Sequence, residues 1–152
     1  MPPKFKFTED EIVSEALELV RTRGAKALTA RALAERLGCS AKPIFGLFKN
    51  MEELHASSIK KYHMQDRVMI HSFSAPSLKT MSQLLPDVPR IFIVGSLQRI
   101  NFDVLSYVNG INISSDLVTQ NPKLISQLHA LHQKVFVWAE MNESPKVWNW
   151  LI

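Results

Sequence analysis

Seven basic side chains fall within thirty residues of the chain, and they are the most concentrated chemical feature of the sequence. Between residues 21 and 50 they are accompanied by a single acid, Glu35, and they comprise Arg21, Arg23, Lys26, Arg31, Arg36, Lys42 and Lys49. That window carries a net charge of +6, whereas residues 1–20 carry −3 and the remainder from residue 51 carries +1. A basic block of this kind predicts a nucleic-acid surface. A solvated helical face has the same composition, so charge alone leaves both interpretations open.

Local signals predict the helices that must position these cations. Thr8 and Glu11 have the spacing of a capping box, which places the start of a first helix near Glu9. Apolar residues then recur at helical spacing up to Gly24, a suitable C-terminal cap. Thr29 is the expected N-cap of a second, shorter helix.

The second helix is expected to end at Gly38, and Ser40 is the expected N-cap of a third. Pro43 then falls in the first turn, where its missing N–H has no intrahelical partner to lose. Asn50 is expected to cap a fourth helix. Three short helices with a tight break between the second and third describe a helix-turn-helix, whose third helix enters the major groove of DNA.

Residues 7–65 resemble the N-terminal domain of tetracycline-repressor-type (TetR family) transcriptional regulators. The resemblance is carried by three segments in register: IVSEALELVRTRG, LTARALAERLGCS and IFGLFKNMEEL. It implies a helix-turn-helix over residues 29–48, with Thr29 and Lys49 on backbone phosphates. The DNA-contacting residues implied by the resemblance are Thr29, Arg31, Ser40, Ala41, Lys42, Pro43, Phe45, Gly46, Leu47, Lys49 and Asn50.

The third helix departs from the common family pattern. A tyrosine is frequent where Phe45 stands, another aromatic or histidine where Gly46 and Leu47 stand, and a lysine where Met51 stands. Lys42 is left as the only long hydrogen-bonding side chain on this helix. Phe45 would either pack in the core or contact a thymine methyl group.

For the rest of the chain the spacing predicts further helices and hence an all-α fold. The fourth helix is expected to continue to about Ser72, another helix to span Ile91–Val108, and a last one to begin at Pro122. Ile91–Val94 in isolation would also suit a strand. Residues 106–136 loosely resemble the paired helices through which family members dimerise. The expected division is a DNA-binding domain at 1–50 and a helical regulatory and dimerisation domain at 51–152.

The second half offers only weak candidates for an effector site. They are Phe92, Phe102, Tyr107, His129 and Trp138, and each suits an ordinary core or surface position equally well. We expect no cofactor and no metal site, because the His129 and His132 pair has no third ligand nearby.

The expected function is a DNA-binding transcriptional regulator, specifically a ligand-responsive homodimeric repressor on a palindromic operator. The sequence contains no glycine-rich phosphate loop and no nucleophile motif, so neither signal favours an enzyme. The alternative is a helical interaction module that keeps the fold with weak or lost sequence-specific DNA binding. The absence of a signal peptide and of any long apolar run predicts a cytoplasmic protein without a membrane partner.

Overall fold

The computed structural model describes residues 6–138 of the chain. The chain forms two compact units, Met1–Asp66 and Arg67–Ile152. No helix within the described residues is long and apolar enough to cross a membrane.

The first unit is helical, and its caps follow the sequence closely. Its helices are α1 (Glu9–Arg23), α2 (Ala30–Arg36), α3 (Lys42–Leu47) and α4 (Met51–Lys61). Thr8 and Glu11 form the predicted capping box, since the Glu11 N–H donates to Thr8 Oγ1 and the Thr8 N–H donates to the Glu11 carboxylate. Thr29 and Asn50 accept from the first turns of α2 and α4, so these two N-caps are also confirmed.

One predicted cap is wrong. The residue that precedes α3 is Ala41, whose side chain makes no capping hydrogen bond, and Ser40 lies one residue too early. The start of α3 is instead compatible with Pro43 in the first turn, where a fixed φ and a missing N–H carry no penalty. The first compact unit extends past residue 50, since it also contains α4. The predicted boundary at residue 50 therefore remains only a proposal for where the DNA-contacting part ends.

A single apolar cluster holds the first unit together. Ile12 and Leu19 of α1, Leu33 of α2, Ile44 of α3 and Leu54 of α4 are all essentially inaccessible to solvent. One fully buried aliphatic side chain from each helix contributes roughly 1.5–3 kcal/mol to folding. The cluster therefore fixes α3 against the other three helices.

The second unit alternates strands and helices, so the predicted all-α class is wrong. Its strands are β1 (Ile70–Ser72), β2 (Arg90–Val94), β3 (Gly110–Ser114) and β4 (Lys134–Trp138), and its helices are α5 (Ala75–Leu84), α6 (Phe102–Leu105), α7 (Ser115–Gln120) and α8 (Leu124–Ala130). The four strands form one parallel sheet in the order β1-β2-β3-β4.

The predicted helix over 91–108 fails because β2 is buried on both faces. Parallel strands covered on both sides are continuous apolar runs, which have no period-2 signature to oppose a helical interpretation. Ile91, Phe92 and Val94 are all buried. The helical spacing predicted over 91–108 continues past the end of β2 at Val94 and across the turn that follows. It therefore does not describe one helix.

Two further helical predictions are corrected by the sheet. The fourth helix ends at Lys61, and residues 70–72 form β1. The supposed pair of dimerisation helices over 106–136 contains β3, α7, α8 and most of β4. The helix after Pro122 exists as α8, but it ends at Ala130, so Val135 belongs to a strand.

The helices of the second unit pack on one side of the sheet. Phe92 and Val94 of β2, Ile111 and Ile113 of β3 share a buried cluster with residues of α5, α6, α7 and α8. Strand register places Val135 and Val137 of β4 on that same side. The opposite side is lined by the alternate residues of each strand.

Candidate nucleic-acid interface

The third helix of the first unit has a buried side and an exposed side. Ile44 and Phe48 are 0% and 2% exposed, which confirms their predicted role as the anchor of α3. Lys42 and Gly46 are exposed, and Phe45 retains 45% of its surface in solvent. Core packing therefore does not account for Phe45, and its ring is presented with Lys42 to whatever approaches α3.

The turn before α3 is set by hydrogen bonds and one glycine. Gly38 has a φ of +63°, a conformation that a residue with a Cβ rarely adopts. Its N–H donates to the Glu35 carbonyl, and the Cys39 N–H donates to the Ala34 carbonyl at 2.9 Å. Cys39 is half-buried against the apolar cluster of the first unit. These contacts fix the direction in which the chain enters α3.

Thr29 and Asn50 are exposed residues that cap their helices. Thr29 Oγ1 accepts from the Ala32 N–H at 3.1 Å, and its own hydroxyl proton remains available to a phosphate oxygen. Asn50 Oδ1 accepts from the Glu53 N–H at 2.8 Å, while the Glu53 carboxylate accepts from the Lys49 N–H at 2.6 Å. The backbone that carries Lys49 is thus held on both sides of the turn into α4.

The basic block is only partly neutralised within the unit. Arg21 pairs with Glu18 at 2.6 Å, and Arg36 pairs with Glu15 of α1. Within residues 6–138, the remaining cations of the block make no ion pair and are exposed: Arg23, Lys26, Arg31, Lys42 and Lys49. The block therefore offers five unpaired cations to an anionic partner.

Arg23 and Lys26 are exposed and unpaired in the described structure, and the sequence reasoning did not include them among the candidate contacts. Both lay inside the +6 window, but the motif-based assignment began at Thr29 and left them out. The signal that could have found them is the absence of an acid three or four residues away. Glu18 supplies such a partner to Arg21, and none lies at that spacing from Lys26.

The effector candidates of the second unit do not lie around one common site. Phe92 is buried on the helix-covered side of the sheet, whereas strand alternation places Trp138 on the other side. Phe102 is 81% exposed, and Tyr107 is half-buried against the helix-side cluster. His129 is exposed near the end of α8.

Comparison with known families identifies the first unit. Residues 12–57 match the family described as bacterial regulatory proteins, tetR family. The first unit is a tetR-type domain. The match spans most of α1, all of α2 and α3 and most of α4, and it confirms the resemblance drawn from the sequence. It supports a DNA-binding transcriptional regulator. No curated protein matches the chain.

Solved structures show a different similarity. One is a proposed glycerophosphoryl diester phosphodiesterase from Silicibacter pomeroyi DSS-3, with 18% identity and a TM-score of 0.56 over 66% of this chain and 36% of that chain. Another is a proposed glycerophosphodiester phosphodiesterase from Galdieria sulphuraria, with 22% identity and a TM-score of 0.55 over 66% of this chain and 42% of that chain. The aligned chain thus spans about two fifths of these structures. At such identities the likeness shows an α/β fold and carries no activity to this protein.

Proposed function

We propose that the protein is a homodimeric transcriptional repressor that binds duplex DNA through α3 of its tetR-type unit. The observation that carries the proposal is the combination of five exposed, unpaired cations with an α3 whose outer side is free of core contacts. A module that had lost DNA binding has no physical reason to keep like charges unpaired on one small unit.

The contacts divide into those that position the protein and those that read sequence. Thr29, Arg31, Lys49 and Asn50 are proposed phosphate contacts, since their side chains are polar or charged and exposed. Lys42, in the first turn of α3, is the proposed base reader, because the N-terminal residues of a recognition helix meet base edges. The other proposed DNA-contacting residues of α3 and the turn before it have apolar or small side chains. They are Ser40, Ala41, Pro43, Phe45, Gly46 and Leu47.

Phe45 supplies the apolar part of recognition in this proposal. An exposed aromatic ring beside a lysine suits a thymine methyl group in the major groove. Because α3 carries a single long polar side chain, few bases are read directly. Contacts to phosphate then contribute a large share of the binding free energy. Affinity should therefore depend steeply on salt and only modestly on sequence.

Two copies are required for a palindromic operator, since each copy carries one recognition helix. Control by a small effector is proposed for the second unit, with Phe92, Phe102, Tyr107, His129 and Trp138 as the residues to probe. Such an effector acts only if it binds the DNA-bound and free forms with different affinity. The proposed location is the cytoplasm, with no cofactor.

The test uses fluorescence anisotropy with DNA selected from a random pool and with a scrambled duplex. Each phosphate contact contributes about 0.9 to the slope of log affinity against log salt concentration. Lys42→Ala should weaken selected DNA by roughly 5- to 150-fold, equivalent to about 1–3 kcal/mol, and scrambled DNA much less. Equal losses on both duplexes would make Lys42 a phosphate contact.

Lys123→Ala is the matched control, because it removes the same charge from an exposed residue of the second unit. Its affinities should equal those of the unmodified protein. Binding that does not change between low and moderate salt would reject the DNA interface altogether and favour the interaction-module alternative.

A further inference from the structure

Three unpaired cations flank the turn between α1 and α2, and we call them the α1–α2 strip. Arg23 is the last residue of α1, Lys26 lies in the turn and Arg31 is the second residue of α2. All three are exposed, and none makes an ion pair within the described part of the chain. The sequence contains no acid between Glu18 and Glu35, so no neighbour along the chain compensates this charge.

Backbone hydrogen bonds fix the turn that carries Lys26. The Ala27 N–H donates to the Gly24 carbonyl at 3.1 Å, and the Thr29 N–H donates to the Ala27 carbonyl at 2.9 Å. Gly24 supplies the positive φ of +80° at which α1 ends, and Leu28 packs against the apolar cluster of the first unit. Because this backbone is already ordered, binding an anion here would order only the side chains, which keeps the entropic cost of binding low.

The other end of α1 is acidic. Its first turn carries Glu9, Asp10 and Glu11. The Asp10 carboxylate pairs with Lys61 at 2.9 Å, and Glu11 is held in the capping box. The two ends of this 15-residue helix lie roughly 22 Å apart, at 1.5 Å per residue. A polyanion is therefore attracted to the α1–α2 strip and repelled from the opposite end of α1.

The α1–α2 strip lies at the far end of α2 from the turn that enters α3. The seven residues of α2 span roughly 10 Å, which is about three base pairs of duplex at 3.4 Å each. Arg23 and Lys26 precede the proposed phosphate contact Thr29 by six and three residues. Cations at this distance from the base-reading helix suit backbone phosphates, which position a protein on DNA without carrying sequence information.

We propose that Arg23 and Lys26 bind phosphates of the duplex that flanks the base pairs met by α3. The inference rests on the proposed function and widens its DNA site beyond the half-sites that are read. These two cations are held unpaired near Arg31, so the flanking phosphates supply the counter-charge that the unit itself lacks. The protein then needs DNA outside its half-sites for full affinity, although it reads no sequence there.

The test compares two duplexes by fluorescence anisotropy with the full chain. Both contain the selected half-sites; one ends at them, and the other extends about six base pairs, roughly 20 Å, further on each side. At about 0.1 M salt the unmodified protein should bind the longer duplex at least roughly tenfold more tightly, since each additional phosphate contact adds about 0.9 to the slope of log affinity against log salt concentration.

The double variant Arg23→Gln with Lys26→Gln should lose this preference, and its slope on the longer duplex should fall by about 1.8 per protein copy. The matched control is Lys60→Gln with Lys123→Gln, which removes two exposed lysines that make no ion pair among residues 6–138. It should keep the preference. The double variant should discriminate selected from scrambled half-sites as well as the unmodified protein does. Its thermal midpoint should not fall, because the substitutions relieve repulsion between like charges.

Hydroxyl-radical footprinting of the unmodified protein gives a second measurement that does not depend on a variant's folding. The protected backbone should extend beyond both half-sites. A double variant that still prefers the longer duplex, a control that loses the preference equally, or a footprint confined to the half-sites would each overturn the inference. Equal binding of both duplexes by the unmodified protein would overturn this inference alone, whereas binding to neither would overturn the proposed function as well.

Discussion

Replacement of Arg90 by methionine should destabilise the second unit strongly, because this one side chain ties together the loops before β2 and β3. Arg90 is 7% exposed. Its Nη1 donates to the carbonyls of Leu85 at 3.0 Å, Pro86 at 3.1 Å and Val88 at 2.6 Å, and its Nε donates to the carbonyl of Tyr107 at 2.9 Å. No carboxylate pairs with it among residues 6–138.

The expected loss follows from the carbonyl groups left behind. A hydrogen bond from a charged donor contributes about 1.5–3 kcal/mol, and a buried acceptor without a partner costs about 1–3 kcal/mol. The three bonds from Nη1 share one group and do not add. Burial lowers the pKa of Arg90, so removing the guanidinium also recovers part of its desolvation penalty. We expect a net loss of about 3–5 kcal/mol for Arg90→Met, and a smaller loss for Arg90→Lys, whose ammonium cannot span the two loops.

Tryptophan fluorescence during urea unfolding isolates the second unit. All three tryptophans of the chain, Trp138, Trp148 and Trp150, fall after residue 67. With a urea slope of about 1.5 kcal/mol per molar, a loss of about 3 kcal/mol lowers the midpoint by about 2 M. A methionine variant within about 1 kcal/mol of the unmodified protein would refute the bridging role of Arg90.

Two further predictions concern close packing and pH. A Cβ added at Gly110 would lie 2.6 Å from the Lys134 carbonyl oxygen, so Gly110→Ala should cost the second unit about 1–3 kcal/mol in urea unfolding, whereas Gly95→Ala, with nothing within 4 Å, should be nearly neutral. A similar loss in both would contradict the close contact between β3 and β4. Burial lowers the pKa of His55 below 6.5 despite the opposing charge of Glu52, so the unfolded chain binds more protons just below that pH. The free energy of unfolding should therefore fall as the pH drops from 7 through the folded-state pKa, and His55→Gln should flatten this dependence; identical pH profiles would reject it.

The helices of the first unit could be predicted because their boundaries are local. Thr8, Thr29 and Asn50 each cap a helix by accepting from the backbone N–H three positions further along the chain. Gly24 and Gly38 have positive φ values where the chain changes direction. Such signals need no knowledge of distant contacts. The one misplaced cap, at Ser40, lies where proline rather than a side-chain hydrogen bond is compatible with the helix start.

The sheet of the second unit could not be predicted in the same way, because its strands are specified by distant partners. Ile91 pairs with Gly110 across nineteen positions, and Gly110 pairs with Lys134 across twenty-four. The same apolar residues suit a buried helix or a buried strand until those partners are known. The resemblance to helical family members then favoured the wrong choice for residues 106–136.

The candidate nucleic-acid interface could be predicted from the sequence only in part. The +6 window was correctly read as a basic surface, but charge counting treats every cation alike. Arg21 finds Glu18 within one helical turn, and that pair could have been anticipated. Arg36 finds Glu15 from a different helix, a contact that only the packing of α1 against α2 creates. The charge available to phosphate is therefore smaller than the sequence suggests, and its distribution is a property of the fold.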